Sequence, residues 1–406
     1  MRDVSHDGQQ EESGVNDTIA VTKASVHTTI DDLCPMLVDL AKRIHRHPEL
    51  KFEEHSAMRW LSEVAAEAGF QVEQPYAGLE TAFRASRVGA REGPSIAFLA
   101  EYDALAAAGH ACGHSLIGPA SLGAALGLMS EMAHLPGSIH LIGTPGEEGG
   151  SGKAILVDAG VFDDVDAAMM FHPSGKTVLW KNSLARQTVL IEFFGRAAHA
   201  ASRPEEGINA LNATIQTFQS IDALRQHMLD SARIHGIITH GGDAPNIVPD
   251  YSASLFYVRA LDDDYLNELI ERVKNCAAGA ALATGARVEV ELQSSTRSLR
   301  TNMRLAGAFR ENLEDLGWEF DEVDPTEGIG GTDMGNVSHV TAVIHPYLSI
   351  GPDDLVGHTE EFAAAADSAE GHRAMIAAAK ALAGTAVDIL LRPDLYEAIR
   401  AEFGSD

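Results

Sequence analysis

The apolar positions of this chain change period several times, and the changes mark its elements. Ile30, Leu33, Met36, Leu37, Leu40 and Ile44 recur at helical spacing. This predicts a helix that starts near Thr28 or Thr29 and ends at His47-Pro48, since a proline disfavours helix in the residue before it. A second helical stretch runs from about His55 to Ala68 and stops at Gly69. SIAFLAEYDAL is then a short apolar run, read as a buried strand ending at Glu101 to Asp103. A polar loop follows, and a small-residue helix is expected from near Ser115. SIHLIGTPGEEGGSGKAIL repeats the plan of strand, glycine-rich loop with two carboxylates, and helix, and DAAMMFHPSG supplies a third strand that ends on His172. In an open α/β sheet, sites form beyond the carboxyl ends of the strands. Three strands that each end in residues of metal-ligand type therefore point to one shared site.

From about Ser183 the plan changes. ARQTVLIEFFG reads as a strand, PEEGINALNATIQTFQSIDAL as a helix, RIHGIITHGG and SASLFYVRAL as strands, DDDYLNELIERVKNCAAGAALAT as a helix and RVEVEL as a strand. The order β-α-β-β-α-β is that of a ferredoxin-like module, here inserted into the first domain. After about Ser298 the first domain resumes with the helix MRLAGAFRENLEDLG, the segment GIGGTDMGNVSHV, a strand-like AVIHPYLSIG, the segment GHTEEF and an alanine-rich helix around Ala374 to Leu390. The expected organisation is a disordered tail over 1–22, a catalytic domain over 23–183 and 298–406, and an inserted domain over 184–297. The fold class is α/β.

Composition narrows the partners. The 406 residues carry 30 Lys+Arg against 59 Asp+Glu, a formal net charge of -29. Nucleic acid and anionic membrane surfaces need a cationic footprint, so neither is an expected partner. No apolar run reads as long enough to span a bilayer, and the acidic N-terminus MRDVSHDGQQEESGVND lacks the apolar core of a secretory signal. Cys34, Cys112 and Cys276 are odd in number and far apart. They do not form a disulfide framework, which suits a reducing, cytoplasmic compartment.

The densest chemistry lies in AEYDALAAAGHACGH, where Glu101, Asp103, His110, Cys112 and His114 fall within fifteen residues. Thiolate, imidazole and carboxylate groups together are the set that borderline-soft divalent ions favour. Cys112 alone would be an ordinary small core residue, and its neighbours invert that reading. Glu147 and Glu148 sit between a strand and a glycine run, where one carboxylate can ligate a metal while the other moves protons. His172 in FHP and His358 in GHTEEF are weak signals taken singly. A cysteine-nucleophile hydrolase using Cys112 with His110 or His114 is the rival enzyme reading. A catalytically silent binding module on the same fold is the rival from another class.

HACGH, TPGEEGGSGK, MMFHP, GRAAHAASRPEEGINAL, GGDAPNIVP, FYVRA, GTDMGNVSHV and HTEEF occur in this order over roughly residues 28 to 392. Together they resemble the M20 metallopeptidase/amidohydrolase family. Within its subfamily D, they resemble the group of aminobenzoyl-glutamate hydrolase subunits and M20-domain-containing dipeptidases. The resemblance implies a two-metal aminopeptidase-like catalytic domain, with zinc or manganese, and an inserted ferredoxin-like lid through which two copies dimerise. It implies hydrolysis of an amide bond in N-acyl or N-aroyl amino acids, or in small dipeptides with a free carboxylate. Carried over by position, Cys112, His114, Glu148, His172 and His358 are implied as metal ligands and Glu147 as the general base acting on metal-activated water. Asp103 is implied as the acid that orients a ligand, and His199 as the lid histidine that reaches a substrate carbonyl from the partner subunit. Asn246 and Arg259 are implied to grip the substrate carboxylate, and Gly330, Gly331 and Thr332 to offer backbone contacts. Ala106, Ser115 and Gly146 depart from the residues common in relatives, namely proline, Asp or Asn, and alanine. The departures bear on pocket shape and leave every implied ligand in place.

Overall fold

Two bodies make up the chain, and the computed structural model describes residues 5–324 and 330–405 of it. The first unit comprises Met1–Lys181, Arg300–Glu327 and Asn336–Asp406, the second Asn182–Leu299 and Gly328–Gly335. Among the described residues the strands, in chain order, are β1 (Gln71–Glu73), β2 (Phe83–Val88), β3 (Arg91–Ala100), β4 (Pro136–Gly143), β5 (Ala167–Met169), β6 (His172–Ser174), β7 (Ala185–Phe194), β8 (Arg233–His240), β9 (Tyr251–Ala260), β10 (Arg287–Thr296), β11 (Ala342–Ile344) and β12 (Tyr347–Ser349).

In the first unit, a six-stranded sheet has the order β1-β2-β4-β3-β5-β11. The four strands β4, β3, β5 and β11 run parallel, and β2 and β1 are antiparallel additions at one edge. Ile96 to Ala100 of β3 are all buried, as in a strand covered on both faces. Helices Ser5–Arg46, His114–Leu128 and Ala369–Leu391 pack on one another, and the last two also contact β3. Close approach is possible because the middle helix is glycine-rich: a Cβ on Gly123 would lie 2.8 Å from Leu37, and one on Gly127 2.6 Å from Ile30.

Three sequence expectations need correction here. The first helix runs over Ser5–Arg46 rather than from Thr28. Ile19, Thr22, Val26 and Ile30 form one buried stripe, so the helix is packed from Ile19 onward, inside the span read as a disordered tail. The helix Ala369–Leu391 is long and apolar enough to cross a membrane, but 89% of its apolar window is buried within the protein. The third strand does not end on His172. β5 stops at Met169, and His172 opens β6, which pairs with β12 in a separate two-stranded parallel sheet. The chain steps between sheets there: the N–H of His172 donates to the carbonyl of Pro346 at 2.8 Å.

The second unit is a four-stranded antiparallel sheet of order β10-β7-β9-β8, with helices Ala210–Arg225 and Asp263–Thr284 packed on one face. Val189, Ile191, Phe193, Phe256, Val258 and Ala260 build the core under those helices, with Ile221, Leu269 and Val273 opposite. The alternate residues of the same strands therefore face away from the helices. Residues 330–335, read above as part of the resumed first domain, cluster with this unit. Gly330 bridges Ser183 in parallel fashion, and the Thr332 N–H donates to Ser183 Oγ at 3.1 Å.

Candidate metal centre

The segments that follow β3, β4 and β12, together with the start of β6, carry the candidate ligands of the first unit. Cys112 and His114 flank Gly113, whose φ of 80° is open to glycine and strained for other residues. A Cβ at Gly113 would also fall 2.4 Å from Pro173 Cγ. The missing side chain lets this turn press against the strand that carries His172, and Cys112 Sγ lies 3.6 Å from His172 Nε2. His114 opens its helix fully buried. Its Nδ1 meets both the carbonyl and Oδ1 of Asp103 at 3.0 Å, while its Nε2 is buried with no hydrogen-bond partner.

The other oxygen of Asp103 accepts the backbone N–H of Glu148 at 2.8 Å, so one buried acid ties the first loop to the second. Glu147 and Glu148 sit on a short turn between Gly146 and Ser151, both in left-handed backbone. His358, also left-handed at φ 65°, is anchored by its own N–H to the carbonyl of Ala111 at 2.8 Å. Its Nε2 is 3.4 Å from Glu148 Oε1.

Three sets of ligand atoms each lie within 4.8 Å of one another: Cys112, His114 and His172; Cys112, Glu148 and His358; and His114, Glu147 and Glu148. Cys112 is common to the first two. The electrostatics fit a cation. Burial works against the Cys112 thiolate, yet His114 and His172 bring its pKa down to about 6. Burial disfavours the charged form of His114, but Cys112, Asp103 and Glu101 raise its pKa well above the usual value. Hydrogen bonds to Cys112 and Glu148 raise His358 to about 10. Burial likewise opposes the Glu148 carboxylate, and His358 and His114 hold it below the usual range. Protons on the two imidazoles thus compensate the negative charge that divalent ions would. With an orphaned His114 Nε2 and a thiolate–imidazole–carboxylate donor set, the residues fit such ions.

Glu101 and His110 play other parts. Glu101 is buried, with Oε1 2.5 Å from the Nζ of the fully buried Lys153 and Oε2 3.5 Å from His114 Nε2. His110 is buried without a hydrogen-bond partner for either ring nitrogen, and burial lowers its pKa to about 3. Three residues near the centre escaped sequence reasoning. His345 is buried with its ring centroid 5.4 Å from that of His172, and Tyr347 is 5.5 Å from the same ring. The only available signal was HPY inside a strand-like run. Lys153 directly follows the glycine run GGSG, where a lysine is ordinarily solvated.

The remaining candidates lie in the second unit, in two groups. His199 and Asn246 are exposed on neighbouring loops. Ala200 N–H donates to the Asn246 carbonyl at 3.0 Å, and His199 bridges Ile247. Arg259, Gly331 and Thr332 form the other group: the position a Gly331 Cβ would take is 3.6 Å from Arg259 Nη1. The first group adjoins the start of β9 and the second its end. A strand rises about 3.3 Å per residue, so roughly 25–30 Å separates them in one copy.

Comparison with known proteins places this geometry. The profile of Peptidase family M20/M25/M40 matches residues 97–381. The chain is 40% identical over 390 residues to an Xaa-Arg dipeptidase of Mus musculus, covering 92% of this chain and 90% of that protein. It is 35% identical over 322 residues to one of the subunits of the p-aminobenzoyl-glutamate hydrolase of Escherichia coli (strain K12), covering 73% of this chain and 66% of that one. In fold it is similar to a dinuclear metal binding peptidase from the M20 family of Bacillus subtilis, with a TM-score of 0.68 at 21% identity over 89% of this chain and 99% of that one. The chain is a hydrolase and belongs to peptidase family M20/M25/M40.

Proposed function

We propose that this protein is a metal-dependent amidohydrolase acting on N-acyl or N-aroyl amino acids, or small dipeptides, with a free carboxylate. The observation that carries the reading is the pair of ligand triads sharing Cys112. One divalent ion would be held by Cys112, His114 and His172 and a second by Cys112, Glu148 and His358, with zinc suited to the thiolate and manganese to the carboxylates. When bound, such ions polarise the amide carbonyl and acidify water. Glu147, half-buried beside Glu148, accepts the proton of the attacking water and returns it to the leaving nitrogen. Asp103 fixes His114 in the tautomer that leaves Nε2 free. His199 donates to the developing oxyanion, and Gly331 and Thr332 line the amine half.

Arg259 serves as the carboxylate clamp. Its guanidinium makes no hydrogen bond or ion pair among the described residues, and its Nε is buried. A planar guanidinium of this kind suits a bidentate carboxylate. Because Asn246 and His199 lie at the far end of β9 from Arg259, one copy does not supply all three to a small substrate. A homodimer in which the ferredoxin-like second unit acts as lid, and a second copy provides His199 and Asn246, meets that need. Three unpaired cysteines, one of them a ligand, suit a reducing, cytoplasmic setting.

The test is a hydrolysis screen over N-acyl amino acids and dipeptides after chelation and re-addition of zinc, manganese or cobalt. Activity should vanish with the metal and return with it. Glu147→Gln should keep its metal and lose about 10²–10⁴-fold in turnover. Activity that survives chelation but not thiol alkylation would instead favour a cysteine nucleophile.

A further inference from the structure

In the first unit, Glu147 stands between two anchored peptide groups. The N–H of Gly146 donates to Glu54 Oε1 at 2.8 Å, and the N–H of Glu148 donates to Asp103 Oδ2 at 2.8 Å. Glu54 and Asp103 are both buried. The planar units that carry those N–H groups contain the Cα atoms of Gly146 and Glu147. A buried carboxylate on each side therefore limits where the Glu147 side chain can point. Asp103 belongs to the ligand loop already described, whereas Glu54 comes from a segment 92 residues before Gly146.

The helix that follows Glu54 makes no use of it. An acid just before a helix ordinarily accepts that helix's free N–H groups, yet Glu54 makes no such bond to the helix His55–Glu67. Glu49 accepts the N–H groups of Ser56 and Ala57 instead. The Glu54 carboxylate goes to Gly146, to the N–H of Phe52 at 2.9 Å and to the hydroxyl of Thr81 at 2.7 Å. Phe52 completes the hold. Its φ of 63° is uncommon for a bulky residue, and backbone of this kind collects at functional sites. Its ring lies 2.7 Å from where a Cβ on Gly146 would be and 2.6 Å from where one on Gly150 would be. Both glycines are needed for the loop to seat on that ring.

We propose that Glu54 is a positioning residue for the general base: it holds the turn between Gly146 and Ser151 so that Glu147 is aimed at the attacking water, with Phe52 as the seat beneath the turn. The proposal rests on the amidohydrolase reading above. The hold needs an acceptor oxygen and no charge. Glu54→Gln should therefore keep it, and Glu54→Met, of similar length, should lose it.

The experiment measures kcat and KM on the full chain at saturating metal, with the best substrate of the screen above. In Glu54→Met kcat should fall about 100-fold, the size expected when a reacting group is displaced by about 1 Å, with KM little changed. Glu54→Gln should recover most of that rate. Glu49→Ala, which uncaps the neighbouring helix, should lower the thermal midpoint and leave kcat unchanged. Wild-type kcat in Glu54→Met, a loss confined to KM or restored by more metal, Glu54→Gln as slow as Glu54→Met, or an equal loss in Glu49→Ala overturns the proposal. Amide exchange in the metal-free protein separates the two readings. The Gly146 N–H should exchange slowly in wild type and in Glu54→Gln, and fast in Glu54→Met. If no substrate is cleaved, the amidohydrolase reading falls, and slow exchange at Gly146 still supports the hold on the loop. Fast exchange at Gly146 in the wild type overturns it, even where Glu54→Met does not fold.

Discussion

Asp103 Oδ1 lies 3.0 Å from His114 Nδ1, and the same carboxylate accepts the Glu148 N–H through its other oxygen. One buried acid therefore sets the tautomer of one candidate ligand and the backbone position of another. Asp103→Asn keeps the size and removes the charge. Groups in this position are worth about 10–100-fold in metal affinity, so competition with a chromophoric chelator should show a loss of that size. Unchanged affinity would remove Asp103 from this role.

Gly113 is the hinge on which the Cys112–His114 turn depends. With φ at 80° and a Cβ position 2.4 Å from Pro173, Gly113→Ala should cost roughly 2 kcal/mol or more in urea unfolding. Gly279, within the helix Asp263–Thr284, has nothing within 4 Å of its Cβ position. Gly279→Ala is the matched control and should stabilise by about 0.5–1 kcal/mol. Equal responses would contradict the geometry.

The buried Lys153–Glu101 pair should reveal itself through non-additivity. Lys153→Met removes the nearest countercharge of the buried Glu101 carboxylate and should destabilise by about 3–5 kcal/mol. Adding Glu101→Gln removes that charge and should recover part of the loss. A double-mutant cycle measured in chelator, so that metal binding does not contribute, checks it. Additive losses would mean the two groups do not compensate each other.

Glu54 supplies a pH signature. Fully buried, it accepts N–H groups from Phe52 and Gly146 and the hydroxyl of Thr81. Burial raises its pKa from 4.5 to about 7, against the opposing pull of those hydrogen bonds. The folded state thus binds the proton more tightly than the unfolded state. The stabilisation is full below about pH 4.5 and is lost as pH rises through about 7. Glu54→Gln cannot ionise. Its stability relative to wild type should therefore improve between pH 5 and pH 8 in thermal unfolding, and a constant difference across that range would refute the assignment.

Local chemistry was legible where covalent spacing fixes it. Cys112 and His114 stand one residue apart, and Glu147 and Glu148 are adjacent, so their grouping follows from the chain itself. The helix stripe was legible only in part. Its period was readable from Ile30, but the acidic composition before it masked Ile19 and Val26, because composition averages over the few apolar positions that decide packing. Lys153, His345 and Glu54 gave no usable sequence signal. A single lysine or glutamate reads as solvated until a distant segment buries it.

By itself the sequence determined which residue types could meet, the alternation of strands and helices, and the family to which the chain belongs. Only the tertiary structure decided that Asp103 bridges two loops, that Glu101 pairs with Lys153, and that His199 and Asn246 stand at the opposite end of β9 from Arg259. The reason is physical. Neighbours in a short loop are held by bond geometry, whereas partners tens to more than a hundred residues apart meet through strand register and loop closure. A one-residue shift in that register would send every side chain of a strand to the other face.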